Sequence, residues 1–455
     1  MYEFLPLIDG ALQPHHALML QTERDLWAHP ETGYREWYAN GYLKERFEAL
    51  GYQPVMAGNI PGFYADLETG RPGPTIAVFG EMDSLICANH PESNPENGYV
   101  HACGHHAQCA ALLGIAAALR APEIRSLLCG KVRLIAVPAE ELLELGYRKK
   151  LKEQGIIKYF GGKVEFLYRG YLDGVDAAFM VHSAASKQLI GFPLGSNGCL
   201  SKNITYHGKS AHAGGSPQKG INALYAANLG LSAINALRET FVDDDHIRVH
   251  PIITAGGSAV NAIPETVSME SYVRGATLDS IVAANSKVNR ALAASALAMG
   301  ANVEISDLMG YFPLNPNEDM KQFGYEIACA LFGKEQVYLE DTWGTGCTDM
   351  GDIASVMPAL HPYVAGAVGH GHGADYYIED PEKAVVASAK FQLALLCGLL
   401  ENDGSRVYAI KQHAKLRFAS YADYFRAVDA LEMEQSAISY PEDGRATVCW
   451  KKAEQ

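Results

Sequence analysis

Basic residues are scarce in this chain: 37 Lys and Arg stand against 52 Asp and Glu, for a net charge of −15. An acidic surface argues against a nucleic-acid or membrane-surface partner, since both select for basic patches. Long apolar runs are lacking too, with no stretch approaching the roughly 18–20 residues of a membrane span. The opening "MYEFLPLIDG" has no basic segment ahead of an apolar one, so no secretory signal is expected there. Nothing resembles a disulfide framework. The nine cysteines, an odd number, are scattered from Cys87 to Cys449 and read as reduced thiols of a cytoplasmic protein. Repeats, low-complexity tracts and a Gly-rich dinucleotide fingerprint behind the early strands are also absent.

What is present is a chain of 455 residues, 48% hydrophobic, which is longer than one core usually supports. Three short apolar runs, "PTIAVFGEMD", "KVRLIAVPAEE" and "GVDAAFMVHSA", read as buried strands ending at Asp83, at Glu140 and Glu141, and at His182. Continuous apolar runs separated by helical stretches predict an α/β fold with a mainly parallel sheet flanked by helices. Ligand sites in such sheets lie beyond the carboxyl ends of the strands, so each run delivers an acid or an imidazole to one edge.

From about Cys199 to Phe312 the pattern changes. "LSKNITYHGKSAHA" alternates like an exposed strand, "HIRVHPIITAGG" and "ETVSMESYVRGA" read as strands, and two amphipathic helices follow "GINAL" and "LDSIV". This predicts an inserted α+β two-layer domain. The expected division is therefore 1–198 and 313–404 for the main domain, 199–312 for the insert, and 405–455 for a C-terminal extension of unknown role.

"HACGHHAQCA", residues 101–110, packs three histidines and two cysteines into ten positions. An alanine-rich helix follows it, and the positive end of a helix favours a thiolate at its entrance. Cys103, His105, the Glu140–Glu141 pair and His182 are the ligand types of a zinc-like centre. In the pair, one carboxylate can bind metal while the other takes a proton from water. Taken alone, each residue has a plainer reading: a core thiol, a hydrogen-bonded core histidine, or acids at a helix N-terminus. Their joint placement points to a site. Asp349, Asp352 and His361 are read as structural.

In order and spacing, "HPETGYRE", "HACGHH", "VPAEE", "MVHSA", "GKSAHAGGSPQKGINAL", "NAIPETVSMESYVRG", "TDMGD" and "GHGHGADYY" resemble the cocatalytic metallohydrolases of the aminoacylase, hippurate hydrolase and p-aminobenzoyl-glutamate hydrolase type, over roughly residues 20–402. The resemblance implies two divalent ions, zinc or manganese, held by Cys103, His105, Glu141, His182 and a late histidine. His372 is taken for that position, with His370 as its rival. It also implies Glu140 as general base and later acid, Asp83 orienting a ligand, His212 polarising the scissile carbonyl, and Asn261 and Arg274 on the substrate carboxylate. The insert would be both lid and dimerisation domain of a homodimer, with His212 acting across it. The expected activity is metal-dependent hydrolysis of an N-acylated amino acid, an aminobenzoyl-glutamate-like compound or a small dipeptide. Without the resemblance, His212 reads as a loop histidine and Arg274 as a solvated strand charge.

Two other classes compete with this reading. A non-catalytic metal-containing binding protein on the same fold is opposed by the intact Glu140. A metal-dependent oxidoreductase is opposed by the missing dinucleotide fingerprint. The chain departs from the pattern at His106, where relatives carry Asp or Asn, in "MDSL", which lacks the following Pro, and in the unmatched residues from Ser405 onward.

Overall fold

A computed structural model describes residues 2–441 and 446–448. These fall into two compact units. The first comprises the described residues of Met1–Gly195, Asn315–Trp343 and Asp352–Ala419, and the second those of Ser196–Leu314, Gly344–Gly351 and Ser420–Gln455.

The first unit is built on a six-stranded sheet in the order Val55–Met56, Phe63–Glu68, Lys131–Val137, Thr75–Glu81, Ala177–Phe179, Ala359–Leu360. Lys131–Val137, Thr75–Glu81, Ala177–Phe179 and Ala359–Leu360 run parallel, and the first two strands add antiparallel pairs at one edge. The parallel strands are apolar because helices cover both faces of such a sheet. Ile76, Val78, Val132, Leu134 and Phe179 are all fully buried. The helix His105–Ala118 packs on these strands, and every one of its 14 residues is buried. That explains a composition of alanine and leucine with no polar face.

The run "GVDAAFMVHSA" is not one strand. Ala177–Phe179 belongs to the central sheet, whereas His182–Ala184 starts a strand of a second, four-stranded sheet with Tyr363–Ala365, Ile190–Phe192 and Val337–Leu339. One described helix, Glu382–Leu400, is long and apolar enough to cross a membrane by length and composition, although the sequence suggested no such run. Of its apolar window, 78% is buried inside the protein. Its Phe391, Leu393, Leu395, Leu396 and Leu399 belong to the core cluster that also holds Ile76 and Leu112.

The second unit is a two-layer α+β body. Its antiparallel sheet runs Arg248–Val249, Thr266–Gly275, Gly198–His207, Asn302–Tyr311, Met433–Ser436, with Ile252–Ala255 also pairing Thr266–Gly275. Helices Ala223–Ala236 and Leu278–Ala298 form the other layer. Gly198–His207 was expected to be exposed, yet it is the central strand and its first five residues are buried. Alternation marks one covered face, not a place at the edge. On that face Lys202 is fully buried and its Nζ donates to Asn285 Oδ1 at 2.8 Å and to Asn289 and Asp307. The C-terminal stretch divides. The helix Ser405–His413 lies in the first unit, whereas Tyr421–Leu431 and the strand Met433–Ser436 lie in the second. Eight cysteines are unbridged, and Cys449 lies outside the described residues.

Candidate metal centre and active site

The strand Thr75–Glu81 ends two residues before Asp83, and Lys131–Val137 ends three residues before Glu140 and Glu141. Cys103 sits in the loop ahead of helix His105–Ala118. Gly104 takes φ 90°, and a Cβ there would stand 2.1 Å from Ser183 Oγ and 2.3 Å from Tyr376 OH. Only glycine lets the cysteine loop come this close to the strand that bears His182. His372 arrives from a late loop, whose position is set by its backbone N donating to Ala102 O at 2.8 Å.

Three donor sets result, each with its ligand atoms within 4.8 Å of one another: Cys103, His105 and His182; Cys103, Glu141 and His372; and Glu81, His105 and Glu140. Cys103 Sγ lies 3.4 Å from His182 Nε2, and His372 Nε2 lies 2.9 Å from Glu141 Oε1. His105 Nε2 is buried, makes no well-formed hydrogen bond, and faces carboxylate oxygens of Glu81 at 3.2 Å and Glu140 at 3.9 Å. Thiolate, imidazole and carboxylate donors that converge, with His105 Nε2 and Glu141 Oε1 buried and without a well-formed hydrogen bond, fit a divalent cation.

Around the donors lies a second layer of contacts. Asp83 Oδ1 and backbone O lie 3.2 and 3.0 Å from His105 Nδ1, and Asp83 Oδ2 accepts from Glu141 N at 2.7 Å. His182 Nδ1 sits 2.7 Å from Ser183 O. Both contacts leave the Nε2 atoms for a ligand, the usual way a protein orients a metal-binding imidazole. The chain reading missed Glu81, which is fully buried and ion-paired with the equally buried Lys163.

The charges are mutually tuned. Burial pushes the Cys103 thiol up and Glu141 adds to that, but the imidazoles of His105 and His182 prevail and bring it to about 6. Burial likewise opposes ionisation of Glu81 and Glu141. Lys163 together with the imidazoles of His105 and His182 outweighs it for Glu81, and His372 together with His105 and the Cys103 contact outweighs it for Glu141, so each is held at about 2. His372 is raised by Glu141 to about 11. Strong opposed shifts clustered at one place are typical of functional sites.

The structure thus gathers Asp83, Cys103, His105, Glu140, Glu141, His182 and His372 in the first unit. His370 is apart from them: its ring is exposed and pairs with Asp375 at 2.8 Å. His106 turns away as well, placing Nε2 3.2 Å from Glu23 Oε1 and its ring beside Trp27. His361 is buried with its ring 6.0 Å from that of His182, and Asp349 and Asp352 are buried at and near the start of helix Met350–Val356.

His212, Asn261 and Arg274 belong to the second unit. His212 is exposed, and Ala213 N donates to Asn261 O at 2.9 Å, so these two lie side by side. His212 Nδ1 accepts from Gly214 N at 3.1 Å and Gly215 N at 2.9 Å, so the neutral ring carries its proton on Nε2. Arg274 is half-buried on the strand Thr266–Gly275, opposite Cys199.

Residues 77–397 match the profile of Peptidase family M20/M25/M40, a stretch that contains every donor. Among characterised proteins, the chain is 29% identical to the Xaa-Arg dipeptidase of Mus musculus, over 75% of this chain and 74% of that one. It is 28% identical to a p-aminobenzoyl-glutamate hydrolase polypeptide of Escherichia coli, over 73% of this chain and 66% of that one. Its fold is similar to that of a dinuclear metal-binding peptidase of Bacillus subtilis, with TM-score 0.63 and 21% identity over 85% of this chain and 99% of the other. The chain belongs to Peptidase family M20/M25/M40 and is a metal-binding hydrolase of amide bonds.

Proposed function

We propose that the chain hydrolyses the amide bond of a small substrate bearing a free carboxylate: an N-acylated amino acid, an aminobenzoyl-glutamate-like compound or a dipeptide. The observation that carries this reading is the place of Cys103 in two donor sets at once, with His105 and His182 and with Glu141 and His372. A shared thiolate suits two divalent cations, zinc or manganese. When bound, they supply Lewis-acid polarisation of the carbonyl and an acidified water.

Glu140 takes the proton from the attacking water and delivers it to the departing nitrogen. Asp83 holds His105 from behind at Nδ1 and fixes the Glu141 backbone, while Glu81, ion-paired with Lys163, lies at the Nε2 side of the ring. The Nε2 proton of His212 is the donor that steadies the developing oxyanion. Arg274 and Asn261 take the free carboxylate. The names of two relatives support this substrate class, since an Xaa-Arg dipeptide and p-aminobenzoyl-glutamate both carry an amide near a carboxylate.

His212, Asn261 and Arg274 reach the site by dimerisation through the inserted unit. That unit presents a suitable face: the strand Ile252–Ala255 is exposed along its length, and Tyr225, Leu229 and Val260 are exposed apolar residues of the same unit. A cytoplasmic location follows from the reduced-thiol reading. The test is a panel of N-acetyl amino acids, p-aminobenzoyl-glutamate and dipeptides, assayed for amine release with added Mn²⁺ or Zn²⁺. At least one is turned over, and its carboxylate methyl ester is not. Failure of the whole panel with metal-loaded protein contradicts the proposal.

A further inference from the structure

The stretch "HPETGYRE", residues 29–36, supplies no donor atom, yet it is tied to the turn that carries Glu140. Fully buried Glu36 accepts Ala139 N on Oε1 at 2.8 Å. Arg148, 1% exposed, donates from Nη1 to Ala139 O at 3.3 Å and to Phe160 O at 2.6 Å, and from Nη2 to Glu141 O. With Asp83 on Glu141 N, the N–H and C=O on either side of Glu140 are all engaged by buried acidic or basic side chains.

The turn needs such restraint. Ala139 is a non-glycine residue at φ 59°, a conformation that persists only where its surroundings over-determine it. The packing is close on the other side as well. A Cβ at Gly33 would stand 2.3 Å from Arg148 Nη2 and 3.1 Å from Ala139 Cα. The ring of Tyr34 lies 5.5 Å from the Arg148 guanidinium. Farther along, Thr32 Oγ1 and Arg35 Nη1 both donate to Glu144 Oε2, at 2.7 and 2.6 Å.

We propose that Glu36 and Arg148 are positioning residues for Glu140: together they hold the Ala139–Glu141 turn so that the carboxylate is aimed at the reacting atoms. This rests on the reading of Glu140 as the proton carrier. The bonds above run to backbone atoms, and Glu141 keeps Asp83 on its N–H and His372 at its carboxylate, so loss of Glu36 or Arg148 loosens the aim of Glu140 more than the donor set.

Three variants separate the possibilities. Glu36→Leu removes the acceptor of Ala139 N, and Glu36→Gln keeps an acceptor oxygen in the same volume. Arg148→Lys keeps the charge but cannot fork between two carbonyls; it stands in for Glu36→Leu should that variant fail to fold. Each is measured for metal content, for kcat and KM on the fastest substrate of the panel above, and for amide hydrogen exchange in the peptide spanning 138–145. Glu36→Leu and Arg148→Lys keep metal and KM, exchange faster in that peptide and lose kcat by on the order of 10²-fold. Glu36→Gln restores both exchange and kcat. Placed on Glu140→Gln, Glu36→Leu costs nothing more, because it acts through Glu140. A normal kcat in Glu36→Leu beside an inactive Glu140→Gln overturns this inference alone, as does failure of Glu36→Gln to restore kcat. Near-normal kcat in Glu140→Gln overturns the proton-carrier reading and this inference with it.

Discussion

Replacing Lys163 by Met tests the electrostatic backing of the metal centre. Lys163 and Glu81 are both fully buried, and the ammonium is the strongest influence holding Glu81 at about 2 against burial. Met keeps the aliphatic stem and removes the charge. Breaking one side of a buried pair costs about 3–5 kcal/mol, because the remaining charge is left uncompensated. At about 2–4 °C per kcal/mol for a unit of this size, the melting temperature of chelator-treated protein falls by about 6–20 °C at pH 7. The effect depends on pH in a definite direction. A carboxylate whose folded pKa lies near 2, below its ordinary 4.5, contributes stability that is complete above about 4.5 and is lost as pH falls through about 2. The gap between wild type and Lys163→Met is therefore widest at neutral pH and narrows on acidification below about 4.5. Removing both charges, in Lys163→Met/Glu81→Gln, recovers part of the loss. Circular dichroism melts from pH 7 to about pH 3 measure this. Equal melting temperatures at pH 7, or a gap that ignores pH, refute the assignment of the pair.

Other outcomes follow from the same geometry. His372→Ala lowers the bound metal measured by elemental analysis, and His370→Ala leaves it unchanged; the reverse result moves the late ligand to His370. Mixing inactive Glu140→Gln chains with inactive His212→Ala chains under exchange conditions restores activity if His212 acts across a dimer, because one site then holds both residues intact. Demonstrated exchange without activity removes that arrangement. In the second unit, Lys202→Met alone destabilises by about 3–5 kcal/mol, and adding Asp307→Leu recovers only part of the loss in chemical denaturation, because Asn285 and Asn289 lose their partners.

Much of the first unit was legible in the chain because parallel strands covered on both faces must be continuously apolar, as "IAVF" and "VRLIAV" are. The same continuity hid the break after Phe179, since an apolar run does not show that the chain has passed from one sheet to another. Glu81 and Lys163 escaped notice because their partnership spans 82 positions, and only packing brings two isolated charges in buried elements together. Arg148 lies in "LGYRKKLKE", where nothing distinguishes it from neighbouring solvated lysines except where its guanidinium ends. Lys202 similarly reads as solvent-facing until Asp307, on a strand of unassigned sequence, is placed beside it. Spacing to Tyr376 favoured His372 over His370 without deciding between them; the backbone bond from His372 N to Ala102 O, which anchors the late loop to the cysteine loop, could not be read from the chain.

The central claim is that this donor cluster holds metal while Glu140 moves the proton. Wild type and Glu140→Gln, loaded with Mn²⁺ or Zn²⁺ side by side, test it most directly when metal content and kcat are measured on the same samples. Two divalent ions per chain are expected in both proteins, with kcat in the variant lower by about 10²–10⁴-fold. Folded wild-type protein that retains no metal above background, or a Glu140→Gln variant that turns over substrate at the wild-type rate, contradicts the account.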